Sequence, residues 1–168
     1  ISKLLLVVFL LASGSLFAQS KLKVGHIDSN KLLSMMPERN QVQATLEAQA
    51  AEIENTLAAM QDEFEKKYQD YVANADSLTK LVRQTKEAEL QDLQQRIQTF
   101  QMSAQQEYQV QERELFQPVI DKAKLAIEEV AKENGYTYVI DSGSGALVYF
   151  SDTSDDLFDL VKAKLGLQ

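Results

Sequence analysis

The stretch from Leu46 to Tyr71, LEAQAAEIENTLAAMQDEFEKKYQDY, decides the fold. Its apolar residues fall at Leu46, Ala50, Ile53, Leu57, Met60, Phe64, Tyr68 and Tyr71, in steps that almost all alternate between four and three. That spacing lays a narrow stripe along one side of a helix, the seam of a coiled-coil contact between two helices. A second run repeats it at Leu90, Leu93, Ile97, Phe100, Ala104, Gln111 and Leu115. Between the runs, Val72-Ala73-Asn74-Ala75-Asp76-Ser77 interrupts the stripe with Asn, Asp and Ser, residues whose side chains bond back to nearby backbone in turns. The two runs therefore predict an antiparallel hairpin with its tip at 74–79, each arm about 38 residues or roughly 57 Å long.

The glycines agree with that layout. None occurs between Gly25 and Gly135, a gap too long for alternating short elements and their turns. Pro37 opens the stretch and Asn134-Gly135 closes it in the manner of a helix C-cap. Ala, Gln, Glu, Lys and Leu dominate between them, all good helix formers. Pro118 lies inside the second arm, where the loss of one backbone hydrogen bond predicts a kink. It marks a joint between a projecting arm, residues 38–118, and a base made of 19–37 and 119–168. Val119 to Val130 continue as helix on that base, with Ile120, Ala123, Ile127 and Val130 apolar.

The rest of the base reads as α+β. Leu22 to Asp28 forms a strand; Tyr136 to Asp141 and Ala146 to Phe150 form a hairpin around Ser142-Gly143-Ser144-Gly145; Asp155 to Leu165 forms a short helix capped by Thr153 or Ser154. The strands are apolar on both faces, with Tyr136, Tyr138 and Ile140 opposing Val139, and Val148 and Phe150 opposing Leu147 and Tyr149. The chain's own helices can cover one face. The other asks for a second subunit, since so small a base is marginal alone. Val24, Ile27, Tyr138, Ile140, Val148 and Phe150 are the expected subunit contacts. The fold class is thus α+β, predominantly α: a long helical hairpin on a small β-sheet body that associates.

Residues 1–18 stand apart. Lys3 precedes an apolar run from Leu4 to Ala12, Ser13-Gly14-Ser15 breaks it, and Ala18 offers a cleavage point. Nine apolar residues are too few for a bilayer core, which needs about 20, so the segment reads as an export signal.

Composition excludes much chemistry. The chain has 168 residues, no Cys and a net charge of −8. Without cysteine there is no disulfide, thiolate metal site or cysteine nucleophile, and the acidity argues against nucleic acid as a partner. The one histidine, His26, lies in a strand with no ligand or triad partner at a useful spacing. Gly143-Ser144-Gly145 has no following helix or Lys to cradle phosphate. The Ser-Asp run from Ser151 to Asp156 lacks the glycine and terminal Glu of a calcium loop. No cofactor, metal or catalytic group is expected, and the chain reads as a binding protein rather than an enzyme.

Charge is uneven along the hairpin. From Lys66 to Lys86 there are five bases, Lys66, Lys67, Lys80, Arg83 and Lys86, against Asp70 and Asp76, while the remainder is strongly acidic. Such a patch can attract acidic chains or, weakly, an anionic membrane surface. An ordinary solvated helix surface with i,i+4 pairs is the alternative.

The order Val24-Gly25-His26-Ile27-Asp28, a Leu-rich helix ending at Met36-Pro37, the Gln/Glu/Lys-rich hairpin, Tyr136-Thr137-Tyr138-Val139-Ile140-Asp141, Leu147-Val148-Tyr149-Phe150, Ser151-Asp152 and a closing amphipathic helix resembles the OmpH/Skp family of periplasmic chaperones across essentially the whole exported chain. The resemblance implies a homotrimer whose strands form a central body and whose three hairpins hang like tentacles around a cavity. It implies an ATP-independent holdase in the periplasm that binds unfolded outer-membrane β-barrel proteins and prevents their aggregation. Family members are often strongly basic and this chain is acidic, so the resemblance carries no lipopolysaccharide site onto these residues. A structural or adaptor coiled-coil hairpin of the periplasm is the competing class, although adaptors of that kind carry β-domains larger than these flanks.

Overall fold

The computed structural model describes residues 22–168; the export signal read at 1–18 lies outside them. Strand β1, Val24–Ile27, is followed by helix α1, Ser29–Met35, and by helix α2, Pro37–Asn74. A 3-10 turn at Ala75–Ser77 leads into helix α3, Lys80–Glu133; then come strand β2, Tyr138–Asp141, strand β3, Asp155–Asp156, and helix α4, Phe158–Lys164. The molecule is α+β and predominantly helical. A 38-residue helix and a 54-residue helix run antiparallel beside a three-stranded sheet.

Local chemistry starts and stops these helices. Asp28 Oδ1 accepts from Lys31 N at 2.9 Å and caps α1. Pro37 opens α2, where its missing N–H has no partner to lose. Asn74 Nδ2 donates to the carbonyl of Asp70 at 2.9 Å as α2 ends, and the Thr79 hydroxyl accepts from Val82 N at 3.4 Å as α3 begins. Asn134 Nδ2 donates to the Val130 carbonyl at 2.8 Å, and Gly135, at φ +70°, takes the left-handed position that closes α3. Pro118 does not end α3, which continues unbroken through it. The next residue, Val119, is buried in the base, and that packing holds the turn the proline weakens.

The hairpin seam follows the two stripes. Leu46, Leu93 and Ala104 are buried, while Ile53, Leu57, Met60, Phe64, Ile97 and Phe100 are half-buried, as a contact between only two helices dictates. Tyr68 leaves the seam at 47% exposure, its ring stacked 6.2 Å from Phe64. Tyr108, half-buried, occupies the step between Ala104 and Gln111 that the sequence stripe left empty.

The sheet corrects the sequence reading. Its order is β2-β1-β3 and both pairings are parallel. Tyr138–Asp141 pairs with β1, from Val24↔Tyr138 to Ile27↔Asp141, and residues 146–150 form no strand. The expected hairpin fails because its loop is tied elsewhere. Gly143 N donates to Asp141 Oδ1 at 2.9 Å, and Asn30 Nδ2 on α1 donates to the Gly143 carbonyl at 2.8 Å, so the chain turns toward α1 instead of back along β2. The third strand is Asp155–Asp156, which delays the last helix to Phe158; Asp156 Oδ1 accepts from Phe158 N at 2.8 Å. Neither Thr153 nor Ser154 caps that helix: the Thr153 hydroxyl meets that of Ser151 at 2.9 Å, and Ser154 turns to His26.

The base core lies on one face of this sheet. Ile27, Leu32 and Met36 pack with Val119, Ala123, Ala126 and Val130 of α3 and with Leu157, Phe158 and Val161. Gly25 is required there: a Cβ on it would collide with Leu157 Cδ1 and lie 3.1 Å from Tyr136 Cε1.

Candidate assembly face and arm surface

Strand register decides which side chains share the uncovered face of the sheet. Val24 pairs with Tyr138 and His26 with Ile140, so these four point away from the core, whereas Gly25 and Ile27 point into it. Tyr138 is 60% exposed, Ile140 40% and Val24 37%. His26 is buried because Phe150 lies over it, ring centroids 4.2 Å apart, and its Nδ1 is 2.9 Å from the Ser154 hydroxyl. The loop holding Phe150 adds apolar surface of its own, with Val148 98% and Tyr149 79% exposed.

Five of the six residues read as subunit contacts, Val24, Tyr138, Ile140, Val148 and Phe150, are therefore exposed. Ile27 is a correction. It is 2% exposed inside its own protomer's core, one step out of phase with Val24 and His26 along a strand whose side chains alternate. Tyr149 was missed because the sequence placed it on a strand face opposite Val148; with no strand there, both are open to solvent.

The base is braced from behind by Asp141. Burial pushes this carboxyl up, but the Ser29 hydroxyl at 2.6 Å, Ser29 N at 3.1 Å and Gly143 N at 2.9 Å all donate to it, and together they hold it below the usual carboxylate range. It fixes the end of β2 to the start of α1. Among the described residues no group of three His, Cys, Asp or Glu side chains is placed to hold a metal ion.

On the arm, the five bases are not a bare patch. Lys66 pairs with Asp62 at 2.5 Å, and Lys67 lies 3.9 Å from both Glu63 and Glu89. Lys86 reaches across the hairpin to Asp70 at 2.7 Å, a hydrogen bond and charge pairing that lowers the Asp70 carboxyl and raises the Lys86 amine. The Arg83 guanidinium donates to the Ala75 carbonyl at 2.7 Å, and among the described residues neither Arg83 nor Lys80 makes an ion pair. Counting charge between 66 and 86 missed Asp62, Glu63 and Glu89, which lie one turn outside that window in sequence and within reach in space.

At the foot of the arms Lys122 pairs with Glu38, and farther out Gln49 bonds to Gln111, both across the seam. No helix among the described residues is long and apolar enough to cross a membrane.

Comparison with known proteins adds three findings. The model of a family described as outer membrane protein (OmpH-like) matches residues 23–165. A crystal structure from Caulobacter crescentus CB15, provisionally described as an outer membrane chaperone (OmpH-like), superposes with a TM-score of 0.74 at 17% identity, covering 84% of this chain and 82% of that one; at that identity it speaks for the fold. Comparison with curated proteins finds no match.

Proposed function

This chain belongs to the OmpH-like outer membrane protein family, and on that premise we propose that it is an ATP-independent holdase chaperone that binds unfolded outer-membrane β-barrel proteins in the periplasm. In this reading residues 1–18 direct export, 19–37 with 119–168 form the association body, and 38–118 project as an arm turning at 74–79. Three copies join through Val24, Tyr138, Ile140, Val148 and Phe150, and their arms enclose the client. The observation that carries the reading is the base's open apolar face beside an arm that, beyond the base, is two helices packed along one seam. Exposed apolar surface of that kind on a small body marks an association site.

Shielding needs no turnover. Many weak contacts along long arms replace a pocket, and a client leaves when its own folding supplies a better partner for its apolar segments. Lys66, Lys67, Lys80, Arg83 and Lys86 are the proposed client contacts. Four of them already hold a partner, so contact with an anionic membrane surface through them would be weak. The same compensation favours a second reading, a polar adaptor hairpin docking one folded partner.

The test is light scattering from a β-barrel client diluted out of urea. One trimer per client suppresses aggregation if the chaperone reading holds. Unchanged scattering, together with stable capture of a single folded partner, would transfer the assignment to the adaptor.

A further inference from the structure

Contacts between the arms change character along the hairpin. The buried seam residues, Leu46, Leu93 and Ala104, all lie on the base side of the contact between Lys67 and Glu89. The polar contacts of the stem, Gln49 to Gln111 and Lys122 to Glu38, sit beside that buried strip. No residue from Lys67 to Glu89 is buried. There the arms are joined by Lys86 Nζ to Asp70 at 2.7 Å, the Tyr71 hydroxyl donating to Glu87 at 2.6 Å, Lys67 to Glu89 at 3.9 Å and the Arg83 guanidinium donating to the Ala75 carbonyl. Apolar side chains of the same stretch remain outside: Val72 is 56% and Leu81 73% exposed.

Exposed ion pairs stabilise little and are screened by salt. A segment with few buried apolar contacts opens locally at lower free energy than the structure behind it. We propose that residues 67–89 form an electrostatic clasp that opens and closes independently of the stem, with ionic strength setting how often. Opening frees the seam sides of Phe64, Tyr71 and Leu90, three apolar groups next to Lys67 and Lys86. That strip fits an extended unfolded chain carrying apolar and acidic residues. The opening stands on its own; its use in client capture rests on the chaperone reading.

Hydrogen exchange on the full chain tests the opening without any client. Between about 0.02 M and about 0.5 M sodium chloride, amides of 67–89 should speed up at least about threefold while those of 46–60 and 93–115 hold. Lys86→Glu should accelerate the same segment at low salt, and the charge swap Asp70→Lys with Lys86→Glu should restore it. The clasp is overturned if salt leaves 67–89 unchanged, if the stem accelerates equally, or if the swap exchanges like the single variant. Capture is read separately. The chain has no cysteine, so Asp70→Cys with Lys86→Cys gives two thiols that a bis-maleimide with a reducible disulfide spacer joins, locking the clasp. Locked protein should suppress client aggregation less well than the same protein reduced. Equal suppression removes the clasp from capture, and no suppression by the wild type removes the chaperone reading, whatever exchange shows.

Discussion

Val148→Asp tests the proposed assembly of this protein with little effect on the fold of the single protomer. Val148 is 98% exposed, so within one protomer the change should move stability by no more than about 0.5 kcal/mol. In the proposed trimer the same side chain is covered. Burying a valine there contributes about 1.5 to 3 kcal/mol, and a lone carboxylate in its place adds a desolvation cost with no partner to offset it, so each contact loses about 3 to 5 kcal/mol. Threefold symmetry repeats the defect, for about 10 kcal/mol over the assembly. The interface has little reserve against such a loss. Tyr138, Tyr149 and Phe150 are 60, 79 and 48% exposed, about 370 Å² of aromatic surface per protomer and about 9 kcal/mol if all of it were covered. Association itself costs about 4 to 15 kcal/mol. Sedimentation at micromolar protein should therefore show the variant at one-third of the wild-type mass, with the thermal midpoint of the base lowered to that of wild type diluted until it dissociates. A variant of wild-type mass, or a wild type that sediments as a monomer, would refute the interface. Phe150→Asp is the less clean probe, since Phe150 also covers His26.

Two further changes probe the base. Gly25→Ala places a methyl group against Leu157, which is fully buried and cannot yield, so urea unfolding followed by circular dichroism should show a loss of about 1 to 3 kcal/mol; a wild-type midpoint would mean the strand can shift away from α4. Asp141→Asn weakens the bonds from Ser29 and Gly143 and should cost about 1 to 3 kcal/mol at pH 7. Because the folded Asp141 carboxyl sits below its unfolded value, its contribution is complete above about pH 4 and fades as the pH falls through the folded value. The gap between variant and wild type should accordingly narrow toward pH 3, and a gap independent of pH would assign the loss to shape instead of charge.

The hairpin was legible because its information is local. A four-three stripe, a long run without glycine, and a proline opening α2 act within a few residues of where they stand, and the seam at Leu46, Ile53, Leu57 and Leu93 follows from spacing alone. The helix continues through Pro118 as read: the proline weakens one turn, and burial of Val119, set by residues far away in sequence, supports it. Two strands of the sheet were legible, but its pairing and third strand were not, because they are set by residues far apart in sequence. Alternation in 146–150 suits a strand, yet a strand needs a partner, and β1 had already taken Tyr138–Asp141 on one edge and Asp155–Asp156 on the other. Two side-chain bonds, Asn30 to the Gly143 carbonyl and Gly143 N to Asp141, redirect the loop over a face that periodicity could not orient.

The redirected loop bears on assembly more than the missing strand does. A paired hairpin would have buried alternate residues of 146–150 within the protomer. Left unpaired, the segment keeps Val148 and Tyr149 in solvent and lays Phe150 over His26, so the apolar surface gathers on the face opposite the helical core. That face and the arm are then governed by different forces. In the proposed trimer, contact through Val148 and its neighbours is apolar and grows no weaker in salt, while the distal arm is joined by charges that salt screens. Raising ionic strength should therefore leave the sedimenting mass unchanged under conditions where the arm tips exchange faster. If mass and tip protection fell together with salt, charge would be holding the base as well, and the apolar face could not be what joins the subunits.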